Sequence, residues 1–164
     1  MTDEQFSGRI PIRVRQKEKN FLRKIVLAVM DLPQIDLIKP LNLPDKLEAS
    51  LIERYHLNSF KAARRLERYL VGLLREVEPA HLEALQHLID DPQKMIDQIR
   101  EQVEVRVNRL LNGENPEITD FVNDFPSVNT QKLRQLVRNA KKNQGTNKTA
   151  SYRDLVAFVS AFYP

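Results

Sequence analysis

The chain has 164 residues, the size of one domain or of two small helical lobes. It contains no cysteine, which excludes disulfides, thiolate zinc sites, iron–sulfur clusters and a cysteine nucleophile. It has only four glycines, which weighs against an all-β fold and against a glycine-loop nucleotide site. No apolar run approaches the ~18 residues of a membrane span, and residues 1–8 lack the apolar region of a signal peptide, so we expect a cytoplasmic protein.

The net charge of +4 conceals a segregated pattern along the chain. Gly8–Lys24 has seven basic residues and one acidic residue, and Pro126–Pro164 also has seven basic residues and one acidic residue. Between them, Glu76–Asp124, here called the acidic middle, has twelve acidic and four basic residues. Such segregation favours surfaces that face a polyanion. The alternative is that the basic and acidic segments pair with each other inside the fold.

The first predicted elements are a basic arm and a helix. Ile10, Ile12 and Val14 alternate with Arg13 and Arg15, which predicts an extended segment within residues 1–15. Apolar residues at 3- and 4-residue spacings then predict a helix over 16–30. The proline-broken stretch that follows, 33–44, is apolar and therefore predicts a packed connection.

The remaining pattern is helical throughout. Asp45 is the predicted N-cap of a helix that reaches about Val77, with a kink or break at Asn58–Ser59. Further helices are predicted over 79–89, 92–111, 115–123 and 130–143, with a last one beginning at Ser151. Asn112–Gly113 is the predicted left-handed cap at the end of the helix over 92–111.

The predicted fold class is therefore all-α, a bundle of about five to seven helices in one body or in two packed lobes. Three parts are expected along the chain. These are a basic extended arm (1–15), a helical body with an arginine-rich helix and the acidic middle (16–124), and a basic C-terminal helical lobe (125–164).

Little in the sequence indicates catalysis. His56, His81 and His87 form no metal-binding spacing, and no glycine-rich nucleotide motif or GxSxG nucleophile motif occurs. We therefore expect no enzyme, no metal and no cofactor. A metal-dependent nuclease assembled from carboxylates of the acidic middle is the one catalytic alternative left open.

Two basic helix faces are more informative. The first consists of five cations at spacings of 1, 3, 4 and 7 residues opposite a leucine-rich face: Lys61, Arg64, Arg65, Arg68 and Arg75. Gly72 lies on the same side, where the absent side chain would let a phosphate approach the backbone. Close packing against another helix is the alternative explanation for Gly72.

The second basic face lies in the C-terminal lobe. Its cations are Arg134, Arg138, Lys141 and Lys142, joined by the nearby residues Asn139, Asn147 and Lys148. Arginine and asparagine together suit phosphate clamping and contacts to sugars or base edges. Stabilisation of the helix dipole would also explain Lys141 and Lys142, but not the two arginines earlier in the helix. No aromatic stacking platform is evident, so the expected contacts are to the backbone and shape of structured RNA.

Two stretches make the sequence recognisable. Ala63–Arg75, read as ARRLERYLVGLLR, resembles the arginine-rich segment of the YjgA family, also called DarP, of bacterial ribosome-associated proteins. Phe125-Pro126, then LRQLVRNAKK over Leu133–Lys142, then Asn147-Lys148 resemble that family's C-terminal signature. The order and separations also fit, and the resemblance covers almost the whole chain.

The resemblance implies an all-helical, non-enzymatic factor that binds ribosomal RNA of the immature large subunit. Such a factor would assist late maturation near the peptidyl transferase centre. Its partners would be the large-subunit precursor and its RNA, together with other assembly factors, and it would act as a monomer away from membranes. The expected RNA-binding residues are Arg64, Arg65, Arg68, Arg75, Arg134, Arg138, Asn139, Lys141, Lys142, Asn147 and Lys148. The alternative function is a helical adaptor whose acidic middle binds a basic protein.

Overall fold

The computed structural model describes residues 10–143 and 150–164. Within those ranges every regular element is a helix, and there are eight α-helices and one 3-10 helix. The predicted all-α class is confirmed, and the number of helices exceeds the predicted five to seven. No described helix is both long and apolar enough to cross a bilayer.

The helices follow one another with short connections. Their bounds are α1 Ile12–Met30, the 3-10 helix Ile35–Leu41, α2 Asp45–His56, α3 Phe60–Glu76, α4 Pro79–Asp90, α5 Pro92–Asn112, α6 Asn115–Asp124, α7 Thr130–Lys142 and α8 Ala150–Ser160. The chain divides into two compact units, the first ending at Pro92 and the second beginning at Gln93. The predicted boundary between residues 124 and 125 is wrong, because α5 and α6 contribute to the same core as α7 and α8.

Helix α1 begins earlier than predicted. The backbone N–H groups of Val14 and Arg15 donate to the carbonyl of Pro11, at 2.9 and 3.2 Å, and start the helix there. The extended conformation predicted for the arm is therefore wrong from Ile12 onward, while Arg9 lies outside the described residues. A short alternation of Ile and Arg cannot by itself hold a strand, which needs a partner for its hydrogen bonds. A helix satisfies those bonds internally.

The boundaries around α2 and α3 test the capping predictions. Asp45 is not the N-cap: Pro44 occupies that position, and the Asp45 carboxylate lies in the first turn, where the helix dipole favours negative charge. The predicted break at Asn58–Ser59 is confirmed, since α2 ends at His56 and α3 begins at Phe60. Ser59 caps α3 by accepting a hydrogen bond from the Ala62 N–H.

The core of the first unit is aliphatic, and α1, α2, α3, α4 and the 3-10 helix pack around it. Its fully buried members include Val26, Ile38, Leu51, Leu70 and Leu74. The predicted packed connection is confirmed, because the 3-10 helix buries three of its apolar side chains.

One ion pair is buried beside that core. The Arg54 guanidinium of α2 donates to a single oxygen of Glu67 in α3, through Nη2 at 2.8 Å and Nε at 3.1 Å. Glu67 is only 7% exposed, although it stands in the arginine-rich segment. The pair therefore ties α3 to α2 and is not part of the solvated surface.

The core of the second unit combines aliphatic residues of α5 and α7 with an aromatic cluster. Phe121 of α6 is fully buried, and the rings of Phe125 and Phe162 lie 4.9 and 5.6 Å from its ring. The Arg106 guanidinium lies 5.1 Å from the centre of the Phe121 ring and pairs with Asp124 at 2.6 Å. Arg106 of the acidic middle is thus committed to the interior of its own unit.

The junction of α5 and α6 is held by close backbone contact. Gly113 does not have the left-handed backbone that was predicted. Instead, a Cβ atom at this position would lie 2.8 Å from the Arg109 carbonyl oxygen and would collide with the Glu117 side chain. The Lys141 ammonium of α7 donates to the Gly113 carbonyl at 2.9 Å. Lys141 therefore closes the end of α5 and joins it to α7.

We expect loss of one partner of the Arg54–Glu67 pair to destabilise the protein. Arg54→Met should lower the free energy of unfolding by about 2–3 kcal/mol, because a buried carboxylate would be left without its partner. The double variant Arg54→Met/Glu67→Leu should recover to within about 1 kcal/mol of the wild type. Urea unfolding measures both. If Arg54→Met lowered the free energy of unfolding no more than Arg65→Ala, a substitution at an exposed position, the Arg54–Glu67 pair would not stabilise the packing of α3.

Lys141 and Lys142 are adjacent, but we expect the same substitution to lower the free energy of unfolding at Lys141 and to leave it almost unchanged at Lys142. Lys141→Met should lower the free energy of unfolding by about 1–2 kcal/mol, because it removes a charged donor from a part-buried carbonyl. Lys142→Met, at an exposed position, should stay within about 0.5 kcal/mol of the wild type. Thermal and urea unfolding of the two variants would be compared. Equal stabilities would contradict the role given to Lys141.

Candidate nucleic-acid interface

The cations of helix α3 lie on two different sides of the helix. Ala63, Leu70 and Leu74 face the core, and the buried Glu67 faces Arg54. Arg64, Arg68 and Arg75 line a cleft with α1, whereas Lys61 and Arg65 line a separate cleft beside the end of α2. The single basic face predicted from the sequence is therefore two rows with different neighbours.

The cleft between α1 and α3, here called the α1–α3 cleft, is strongly basic. Its volume is about 450 Å³. Its lining residues are Lys19, Arg23, Arg64, Glu67, Arg68, Val71, Gly72 and Arg75. Five of these eight side chains are cationic and one is anionic, and that anion, Glu67, is already paired with Arg54. A concave surface with this excess of positive charge attracts anions.

Gly72 opens toward this cleft. A Cβ atom built at Gly72 would meet nothing within 4 Å, so no neighbouring helix packs against the glycine. Of the two explanations offered by the sequence, close helix packing is excluded for the described residues. The α3 backbone at Gly72 is accessible to a ligand that enters the cleft.

The pairing state of each arginine determines what it can bind. Among the residues that the structure describes, Arg64 and Arg68 form no ion pair within 4 Å, and the Arg64 guanidinium lies over the Phe60 ring at 5.2 Å. Arg75 pairs with Glu18 of α1 at 3.3 Å, with both side chains about half exposed. Such a solvated pair contributes little stability and can exchange for a phosphate.

Helix α7 provides the second candidate surface, here called the α7 basic face. Leu133, Leu136, Val137 and Ala140 are buried, and the opposite side presents Arg134, Arg138 and Lys142 to solvent. These three cations form no ion pair with any residue in the described ranges. The Asn129 side chain caps the helix by accepting from the Lys132 N–H at 3.0 Å, which fixes where the face begins.

Other predicted members of the second face have different positions. Lys141 is half-buried and bound to the Gly113 carbonyl, so it is a structural residue and not a free cation. Asn139 is exposed on α7, beside Arg138. Asn147 and Lys148 lie outside the described residues. The α7 basic face therefore rests on Arg134, Arg138 and Lys142.

Two cations of the α1–α3 cleft were missed in the sequence analysis. Lys19 and Arg23 stand four residues apart on α1, beside the stripe of buried residues that includes Leu22, Ile25 and Val26. The i,i+4 spacing was visible in the sequence. Only the packing of α1 against α3 shows that these cations face Arg64 and Arg68.

The side chains that could ligate a metal are dispersed over the part of the chain that the structure describes. Within residues 10–143 and 150–164, no three His, Asp or Glu side chains come together in a way that could hold a metal ion. The acidic middle instead uses its own arginines, with Arg109 paired to Glu117 at 3.0 Å. Burial, and then the charge of Glu104, raise the pKa of the Tyr152 phenol above its ordinary value.

Comparison with known proteins identifies relatives along nearly the whole chain. The family described as "Dual-action ribosomal maturation protein DarP" matches residues 14–160. The DarP protein of Chromobacterium violaceum is 28% identical over 168 aligned residues, covering 100% of this chain and 92% of its own length. Those of Neisseria meningitidis serogroup A and Nitrosomonas eutropha are 29% and 30% identical, covering 81% and 77% of this chain and 77% and 72% of their own lengths.

The family match extends from the first turn of α1 to the end of α8, so it spans both units and both basic surfaces. It agrees with the resemblance found in the arginine-rich segment and in the C-terminal signature. This chain is a member of the DarP family.

Proposed function

We propose that this protein is a non-enzymatic ribosome biogenesis factor of the bacterial cytoplasm. It binds ribosomal RNA of the immature large subunit and assists late maturation of that RNA. The family name supports the role in ribosomal maturation. The location near the peptidyl transferase centre follows from the family resemblance. The partners are the large-subunit precursor and its RNA, and the protein acts as a monomer without a cofactor.

One observation supports RNA binding most strongly. Arg64, Arg68, Arg134 and Arg138 are exposed and form no ion pair with the described residues, although the chain carries 22 acidic side chains. Arginines whose charge is not neutralised within the fold are suited to phosphates, which they bind through two parallel hydrogen bonds. The proposed RNA-binding residues are therefore Arg64, Arg65, Arg68, Arg75, Arg134, Arg138, Asn139 and Lys142, with Lys19 and Arg23 added.

The proposed mechanism is differential affinity. Each unit holds one basic surface on a rigid helical framework, so each can bind the backbone of an RNA helix in a defined geometry. A protein of this kind shifts RNA folding only to the extent that it binds the mature arrangement more tightly than the competing ones. A tenfold preference requires about 1.4 kcal/mol, which one or two phosphate contacts can supply.

Sedimentation tests the proposal against the adaptor alternative. The purified chain should travel with large-subunit precursor particles through a gradient at low salt and should dissociate as the salt concentration rises. An adaptor that binds a basic protein through the acidic middle would remain at the top of the gradient. Recovery of the chain only at the top, at every salt concentration, would refute the proposed function.

The α7 basic face allows a matched comparison of arginines. Arg134→Ala and Arg138→Ala should each weaken particle binding and lower the slope of log affinity against log salt by about 0.7–0.9, because each loses one phosphate contact. Arg100→Ala is the control, since this exposed arginine of α5 lies in the acidic middle beside Asp97. Its slope should equal that of the wild type.

The free energy of unfolding of the same variants distinguishes a role in binding from a role in the fold. All three substitutions are at exposed positions and should change the free energy of unfolding by less than about 0.5 kcal/mol. Clear destabilisation by Arg134→Ala or Arg138→Ala with an unaltered salt slope would mean that these arginines serve the fold. The α7 basic face would then have no part in RNA binding.

A further inference from the structure

The second cleft of α3 differs in chemistry from the first. It lies between the end of α2 and the outer side of α3 and has a volume of about 600 Å³. Its lining residues are Glu53, Leu57, Ser59, Lys61, Ala62, Arg65, Leu66 and Tyr69. The α1–α3 cleft has no aromatic residue in its lining, whereas this cleft has a tyrosine that is 50% exposed.

The arrangement of these side chains follows the helical repeat. Lys61, Arg65 and Tyr69 are spaced four residues apart, so they form one row along α3. Leu57, Ala62 and Leu66 are half-buried and supply an apolar floor. The cleft thus combines an aromatic surface, an apolar floor and two cations at the rim.

The charges in the cleft are available to a ligand. Lys61 and Arg65 form no ion pair with any described residue, and Glu53 is the only acidic residue in the described lining. The nearby Arg54 is not free, because it is bound to Glu67. A ligand for this cleft therefore carries negative charge beside an apolar, planar group.

We infer that this cleft binds an unpaired nucleotide of RNA, with the base stacked on Tyr69 and the adjoining phosphates on Lys61 and Arg65. The inference rests on the proposed RNA-binding function and specifies that this site binds unpaired RNA. Stacking on an aromatic ring with cations along the backbone is the general chemistry by which proteins hold single-stranded RNA. The volume of the cleft falls within the roughly 300–1,000 Å³ of small-ligand sites.

A base paired in a duplex cannot stack on Tyr69, because both of its faces are covered by its neighbours. The α1–α3 cleft and the α7 basic face, which offer only cations and polar groups, suit duplex backbone. The protein would then read two features of an RNA at once, a helical backbone and a nearby unpaired base. Such a combination would favour a particular folded arrangement.

The test uses the full chain with a short labelled oligouridylate and an RNA duplex as probes. Tyr69→Leu should weaken oligouridylate binding by about 5- to 150-fold, the range expected for loss of one stacked base, and should leave duplex binding unchanged. Tyr69→Phe, which keeps the ring, should remain within about twofold of the wild type. Phe21→Leu is the control, because Phe21 is an exposed aromatic residue of α1 that lines neither cleft.

Salt dependence distinguishes stacking from charge. Tyr69→Leu should lower oligouridylate affinity equally at all salt concentrations, whereas Arg65→Ala should reduce the salt slope by about 0.7. Cross-linking of a 4-thiouridine oligonucleotide to the wild-type chain does not depend on any variant folding. The cross-link should map to residues 57–69.

Several results would overturn the inference while leaving the proposed function intact. These are equal oligouridylate binding by Tyr69→Leu and the wild type, an equal loss with Phe21→Leu, or a cross-link outside the cleft, in a chain that still sediments with precursor particles. If Tyr69→Leu weakens particle binding but not oligouridylate binding, the occupant is a protein of the particle and the inference is wrong. A wild-type chain that binds neither probe nor particles would refute the proposed function itself.

Discussion

The buried ion pair between Arg54 and Glu67 fixes how α3 is rotated about its axis, and both surfaces of that helix depend on this rotation. Leu70 and Leu74 direct α3 toward the core, but an apolar stripe alone leaves some freedom of rotation. The two hydrogen bonds from Arg54 to one Glu67 oxygen remove this rotational freedom. As a result, Arg64 and Arg68 face α1, while Lys61, Arg65 and Tyr69 face the end of α2.

The second unit uses its charges in a different way. Its inward-facing cations, Arg106 and Lys141, are bound to Asp124 and to the Gly113 carbonyl and hold the helices together. The outward-facing Arg134 and Arg138 have no acidic partner in the described ranges. The protein thus separates structural cations from available ones, and burial distinguishes the two groups. Charges of the second kind add little stability, which is consistent with a role in binding.

Much of the fold was predictable because proline, asparagine and serine mark helix ends through local chemistry. The starts at Pro79 and Asn115 and the break before Ser59 are local effects of this kind, and the structure has all three. The arm was mispredicted because Ile12 and Val14 lack a strand partner, which no local pattern reveals. Of the site, the exposed arginines could be predicted from periodicity. The part played by Lys19 and Arg23, and the commitment of Lys141 to Gly113, depend on contacts between distant residues.

We propose that the unpaired arginines of both units face RNA phosphates when the protein is bound to a large-subunit precursor. Chemical modification of arginine by phenylglyoxal, read by mass spectrometry with and without precursor particles, measures this directly for every arginine in one experiment. On binding, we expect protection of Arg64, Arg68, Arg134 and Arg138, while Arg100 reacts as before. Equal reactivity of all five arginines in the bound and free protein would contradict it.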